Sequence, residues 1–331
     1  MRSSFSCIDG HTAGNPVRLV LSGAPLLQGA SMAERRLDFL ERFDWIRTGL
    51  CLEPRGHDMM SGGFLYPPFG DADAAILFIE TSGCLPMCGH GTIGIVTFAL
   101  EAGLIQPRLP GELTIEVPAG TIRITYDMHD GRVQSVRIRN VAAYVASRGI
   151  EIDVPGFTPL TVDVAYGGNY YAIIEPQGAY TGLDDLGAAK IIELSRAVRA
   201  KVQEVYEPVH PDDPNIRGVT HVLWADKPKS AGADARNAVF YGERAIDRSP
   251  CGTGTSARMA HLVATGRLSV GQSFVHESYI GSRFIGGVEA KTKVGDFDGI
   301  VPTIEGSAIA TGLSTIWIDR KDPFWAGFTV V

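Results

Sequence analysis

Two short segments hold the residue types that could do chemistry. Cys88-Gly89-His90-Gly91-Thr92 recurs 163 residues later as Cys251-Gly252-Thr253-Gly254-Thr255. A cysteine in a glycine-rich turn entering a helix sits at the positive end of the helix dipole, where unpaired backbone N–H groups favour an anion. That setting lowers the pKa of a thiol and raises its reactivity. The glycines let a carboxylate approach the N–H groups closely. One such turn is a candidate nucleophile. Two suggest opposed thiols on the two faces of one carbon, one removing a proton and the other returning one, so that a stereocentre inverts without a cofactor. The paired helix ends would spread the charge that develops on a carboxylate beside that carbon.

The elements that position these turns are themselves repeated. Each CGxGT is followed by an apolar-rich segment, Ile93 to Leu100 and Ala257 to Val263, which predicts a helix. Each segment ends at a glycine 15 residues after its cysteine, Gly103 and Gly266, and each cysteine has a proline just upstream, Pro86 and Pro250. Such glycines terminate helices. A second echo, Ala13-Gly14-Asn15 against Gly167-Gly168-Asn169, is offset by 154 residues. The chain reads as a degenerate internal duplication. Leu113 to Val117 and Gly120 to Thr125 alternate as a hairpin around Pro118-Ala119. Val133 to Ile138 and Asn169 to Ile174 are further strands. Leu183 to Val205 is a helix with Leu186, Ile191, Leu194, Val198 and Val202 near one face, and the proline-rich stretch from Tyr206 to Gly218 is a loop. The expected organisation is two similar units, each mostly strands around one helix, facing each other across a cleft. Residues 1–148 carry Cys88 and residues 149–314 carry Cys251, with a last strand near 315–331 returning to the first half.

Composition sets the outer limits. At 331 residues the chain has room for about two domains. It is 45% apolar and 20% charged, as in a globular protein. A net charge of −7, from 30 basic and 37 acidic residues, argues against a nucleic-acid partner, which needs clustered positive charge. No apolar run is long enough to span a bilayer, so no membrane association is expected, and the N-terminus lacks the apolar core of a signal peptide. Five cysteines form no disulfide framework, which points to a reducing cytoplasm. Cys84, Cys88 and His90 lack the second half of a structural zinc site, so no metal is expected. A cysteine hydrolase built on Cys88 and His90 leaves Cys251 unexplained. Cys7, Cys51 and Cys84 are most simply core or strand residues.

The segments Met87-Cys88-Gly89-His90-Gly91-Thr92-Ile93-Gly94 and Asp247-Arg248-Ser249-Pro250-Cys251-Gly252-Thr253-Gly254-Thr255 resemble the two signatures of the proline racemase family. Supporting stretches are His11 to Arg18, Glu53 to His57, Glu116 to Gly120, Tyr166 to Asn169 and Glu277 to Phe284, so the resemblance covers nearly the whole chain. It implies a mixed α/β (α+β) fold of two pseudo-symmetric, diaminopimelate-epimerase-like domains. Each is a mostly antiparallel sheet or barrel around a central helix, with the active site in the cleft between them. It further implies an isomerase that acts on a small molecule, hydroxyproline or proline, with no cofactor and usually as a homodimer. By this resemblance Cys88 and Cys251 are the acid/base pair. Gly89, His90, Gly252 and Thr253 bind substrate, Asp247 meets the ring amine, and His221 is a further substrate contact. Asn15 stands where many members carry glutamate. The implied reaction is epimerisation at C2 of trans-4-hydroxy-L-proline to cis-4-hydroxy-D-proline. Proline racemisation is one alternative, and so is a binding module for cyclic imino acids. Dehydration of trans-3-hydroxy-L-proline is another, disfavoured because Cys251 is present.

Overall fold

The structure is a computed structural model that describes residues 2–157, 159–178 and 180–330. Two compact units divide the chain: Met1–Ile138 with Glu305–Val331, and Arg139–Ile304. Both borders lie about ten residues earlier than the sequence places them.

The first unit opens with β1 (Arg2–Thr12) and β2 (Asn15–Val20). After α1 (Met32–Cys51) come β3 (Ser61–Tyr66) and β4 (Ala74–Glu80). Then α2 (Gly89–Glu101) leads into β5 (Glu112–Val117), β6 (Gly120–His129) and β7 (Arg132–Arg139). The β5–β6 register, Val117 opposite Gly120, matches the hairpin expected from alternation. The second unit runs β8 (Ala143–Ile152), β9 (Leu160–Tyr166), β10 (Tyr170–Ile174) and α3 (Leu183–Val205). It continues with β11 (His221–Asp226), β12 (Ala235–Tyr241), the short β13 (Ala245–Ile246) and α4 (Gly252–Ala264). It ends with β14 (Ser273–Glu277), β15 (Arg283–Val294) and β16 (Phe297–Gly306). The last strand, β17 (Ala308–Asp319), belongs to the first unit and pairs with β1 from Arg2–Asp319 to Thr12–Ala308.

Taken one at a time, the units repeat a single order of pairings. In the first, β17, β1 and β2 are antiparallel neighbours. The crossover through α1 makes β2 and β3 parallel, β3 and β4 are antiparallel, and the crossover through α2 makes β4 and β5 parallel. In the second, β8, β9 and β10 are antiparallel, and α3 makes β10 and β11 parallel. Then β11 and β12 are antiparallel, and α4 makes β12 and β14 parallel. Because β16 also pairs with β8, the second unit closes into an eight-strand barrel. The two echoed tripeptides occupy the equivalent turns, β1–β2 and β9–β10. This pairing-by-pairing match is the structural form of the duplication.

In each unit one helix is central and one peripheral. Residues 89–100 of α2 and 252–262 of α4 are all buried, the polar side chains of α4 included. Both stop at the expected glycines. Gly103 (φ 68°) and Gly266 (φ 72°) adopt the left-handed conformation that costs glycine least. Leu104 N–H then bonds Ala99 carbonyl, and Arg267 N–H bonds Leu262 carbonyl, closing each helix. Among the peripheral helices, α1 buries Met32, Phe39, Ile46 and Leu50 and packs on β4. The helix α3 breaks at Gly187 (φ 69°, ψ 161°). The break leaves Leu186 only half buried, while Ile191, Leu194, Val198 and Val202 pack inward.

Candidate functional site

Cys88 and Cys251 are the N-cap residues of α2 and α4. Ordinarily a Ser, Thr, Asp or Asn oxygen at that position satisfies an exposed helix N–H. A cysteine offers only a weak sulfur acceptor in its place, and at Cys251 that sulfur takes the Gly254 N–H. The geometry also explains the third residue of each turn. A Cβ on Gly91 would lie 2.8 Å from Cys88 Sγ, and one on Gly254 would lie 3.1 Å from Cys251 Sγ. The thiol folds back over the first turn into the space a side chain would fill.

In the first unit Cys88 is 4% exposed and its sulfur lies 3.7 Å from His90 Nδ1. Asn15, at the start of β2, sets its amide nitrogen 3.0 Å from His90 Nε2. With that amide donating, Nε2 accepts and the ring proton sits on Nδ1, facing the sulfur. The Thr12 hydroxyl donates to the His90 carbonyl at 2.8 Å. The β1–β2 turn thereby fixes both ends of His90. Gly89, the first residue of α2, is buried.

In the second unit Cys251 has φ 65°, a left-handed conformation unusual for a residue with a Cβ. Such strain costs roughly 1–2 kcal/mol and concentrates at functional positions. A hydrogen-bonded chain holds it. Asp247 Oδ1 accepts the N–H and the hydroxyl of Ser249, both at 2.8 Å, and Ser249 Oγ accepts the Cys251 N–H at 3.1 Å. Behind the turn, the Pro250 carbonyl accepts Asn237 Nδ2 at 2.8 Å. His221, at the start of β11, pairs its Nδ1 with Thr220 Oγ1 at 2.7 Å. Its ring lies 4.7 Å from that of Tyr171, its partner in the parallel register of β10 and β11. Thus His221, Asp247, Cys251, Gly252 and Thr253 form one connected group within the second unit, and Cys88, Gly89 and His90 form the corresponding group in the first.

Sequence reasoning missed the residue that joins the second group. Tyr171, fully buried on β10, places its hydroxyl 3.3 Å from Cys251 Sγ and 2.5 Å from Thr253 Oγ1. Asn169 Nδ2 approaches Thr253 Oγ1 at 3.4 Å. A tyrosine in an apolar strand reads as core. The only sequence cue was its place two residues beyond the Gly167-Gly168-Asn169 turn.

The expectation that a helix terminus lowers the thiol pKa does not hold at Cys251. Burial, reinforced by the Asp247 carboxylate, pushes this thiol well up, while hydrogen bonds from Tyr171 and the Gly254 N–H pull it partly back. Cys251 therefore rests as a thiol, the form that donates a proton. Burial also pushes Cys7 up to about 11 and Cys51 and Cys84 up to about 12. These three lie in the core cluster between α1 and the first sheet, with Phe39, Phe64 and Leu77. Among the described residues no group of three or more His, Cys, Asp and Glu is arranged to hold a metal ion, and no helix is long and apolar enough to cross a membrane.

The fold and the paired cysteine turns define a class of proteins, and comparison with known proteins agrees. A hydroxyproline epimerase from Agrobacterium vitis, solved with trans-4-hydroxy-L-proline bound, superimposes with a TM-score of 0.91 at 30% identity, over 99% of this chain and 95% of that one. The family model described as proline racemase matches residues 7–329, and the chain belongs to that family. It is 59% identical to 4-hydroxyproline 2-epimerase of Ancylobacter novellus, over 100% of this chain and 99% of the relative. It is 57% identical to 4-hydroxyproline 2-epimerase of Shewanella loihica, over the full length of both.

Proposed function

We propose that the protein is a 4-hydroxyproline 2-epimerase that interconverts trans-4-hydroxy-L-proline and cis-4-hydroxy-D-proline by two-base proton transfer. The observation that carries the mechanism is the repeated turn: one buried cysteine stands at the N-cap of the central helix of each unit. The substrate class rests on relatives 56–59% identical, all with names that specify this activity or its probable form.

In this reading the substrate carboxylate takes N–H groups at the helix ends, including those of Gly89 and Gly252 with their neighbours His90 and Thr253. Hydrogen bonding there strengthens as the α-carbon loses its proton and charge moves onto the carboxylate. Asp247 meets the ring ammonium and His221 supports the ring. Keeping the nitrogen cationic makes the C2 proton more acidic. One cysteine thiolate takes that proton and the other thiol delivers one to the opposite face, after which the roles are exchanged. Cys251, whose environment favours the thiol, is the donor in the direction in which Cys88 is the base.

A substrate panel of L-proline, trans-4-hydroxy-L-proline and trans-3-hydroxy-L-proline in deuterated water, followed by chiral chromatography, tests the reading. The expected result is solvent deuterium at C2 and inversion of the 4-hydroxy substrate, with Cys88→Ser and Cys251→Ser each losing most epimerisation. A dehydrated product, or full activity in either serine variant, overturns it.

A further inference from the structure

The donors around Cys251 can be counted, and the count fixes a direction. Thr253 Oγ1 receives Asn169 Nδ2 at 3.4 Å and has a single proton of its own. Its other close partner is the Tyr171 oxygen at 2.5 Å, whereas Cys251 Sγ is 4.0 Å away. The threonine proton therefore goes to Tyr171. The Tyr171 oxygen, already accepting, has its own proton left for Cys251 Sγ at 3.3 Å. A relay of donors runs from Asn169 through Thr253 and Tyr171 and ends on sulfur. Each donor in such a chain polarises the next.

We propose that Tyr171 is the positioning residue for Cys251: its hydroxyl donates to the sulfur, stabilises the thiolate when that cysteine acts as base, and holds Sγ over the first turn of α4. This inference rests on Cys251 being one of the two bases. A hydrogen bond received by sulfur favours thiolate over thiol, and it does so most in a site closed to water. It offsets the two effects that oppose ionisation here, burial and the Asp247 charge. The S–H proton, not needed by Tyr171, is free to point at substrate. The tyrosine is itself anchored from both sides. Its hydroxyl is held by Thr253, and its ring lies against His221. It cannot be titrated in its place, because burial holds the phenol far above its ordinary range. It therefore acts through the hydrogen bond and not as a third base.

Tyr171→Phe keeps the ring and removes the donor. The test is the pH dependence of iodoacetamide alkylation at Cys251, read by peptide mapping, with Cys88 as the internal reference. The midpoint at Cys251 is expected to move up by about one pH unit, a tenfold slower alkylation below it, while that at Cys88 stays where it is. In turnover, kcat is expected to fall in both directions with KM little changed. Replacing Tyr171 by 3-fluorotyrosine, a stronger donor of the same shape, is expected to move the Cys251 midpoint the other way, so the inference stays testable if the phenylalanine variant folds poorly. An unmoved Cys251 midpoint in a folded variant, or equal shifts at both cysteines, overturns it. Because alkylation needs no turnover, this outcome is separate from that of the two-base reading, which stands or falls on Cys88→Ser and Cys251→Ser.

Discussion

The cysteine turns are under tight steric constraint at single atoms. In Gly91→Ala the new methyl meets Cys88 Sγ at 2.8 Å, too close to be accommodated without movement. The sulfur, at the end of a flexible side chain, is the cheapest atom to move, so the fold survives and the thiol is displaced. Displacement of a reacting group by about 1 Å costs roughly 100-fold in rate. The expected outcome is a kcat loss of that order with a thermal midpoint near that of the parent, checked by steady-state kinetics and calorimetry. Asp247→Asn separates charge from shape. Its side-chain oxygen still accepts from Ser249, so the Cys251 turn holds. Loss of the carboxylate is expected to weaken both substrate binding and turnover. It is also expected to make Cys251 easier to ionise, since the charge that helps hold its thiol protonated is gone. Slower epimerisation combined with faster Cys251 alkylation is the signature to look for. The two cysteine turns, with His90 and Thr253, stand out in the sequence because their motif is local and repeated, whereas Asp247 and His221 are singled out only by the family resemblance. Tyr171 was not legible, because its contacts with Thr253 and His221 depend on packing between segments 50 to 82 residues apart.

At the scale of elements, the central helices were easy to read and the peripheral ones less so. Both central helices announce themselves by a glycine-rich start and a glycine stop around an apolar run. The helix α1 had a signal that went unread: Ser31 and Glu34 form an S-x-x-E start, and Ser31 Oγ accepts the Glu34 N–H at 3.2 Å. With few apolar residues and many charges, its periodic face is thin. In α3 the sequence showed the apolar face but not the break, because a glycine within a helical pattern signals a kink only when φ turns positive. The stop glycines make a clean stability test. A Cβ on Gly266 meets nothing within 4 Å, so Gly266→Ala carries only the cost of the left-handed conformation at φ 72°. That cost is about 1 kcal/mol. Urea denaturation is expected to show this loss while epimerisation is unchanged, because the helix end lies about four turns from the cysteine.

For the molecule as a whole, acid stability depends on a network at the far end of α4. Burial pushes the Glu175 carboxyl up, but hydrogen bonds and charges from Arg258 and Arg267 outweigh it and hold the group down at about 2. His261 Nε2 meets Asp163 at 2.7 Å beside it. A carboxyl held below its unfolded value of about 4.5 stabilises the fold fully above that pH. The contribution is lost as the pH falls from about 4.5 towards 2. Allowing for the partial exposure of Glu175, it amounts to about 2 kcal/mol. Glu175→Gln is expected to lower stability at neutral pH and flatten its decline in this acid range, as read by denaturation at several pH values. The return of β17 to β1 has a consequence of another kind, for the order in which the molecule is made. The strand β1 cannot complete its pairing until residues 308–319, made about 300 residues later, have left the ribosome. The intervening unit, Arg139–Ile304, is continuous in the chain and has all of its own strands before that moment. Synthesis thus favours completion of the second unit first, with one edge of β1 held open in the meantime. An open strand edge is a template for mispairing, so β1 is exposed to that hazard from its own emergence until β17 arrives.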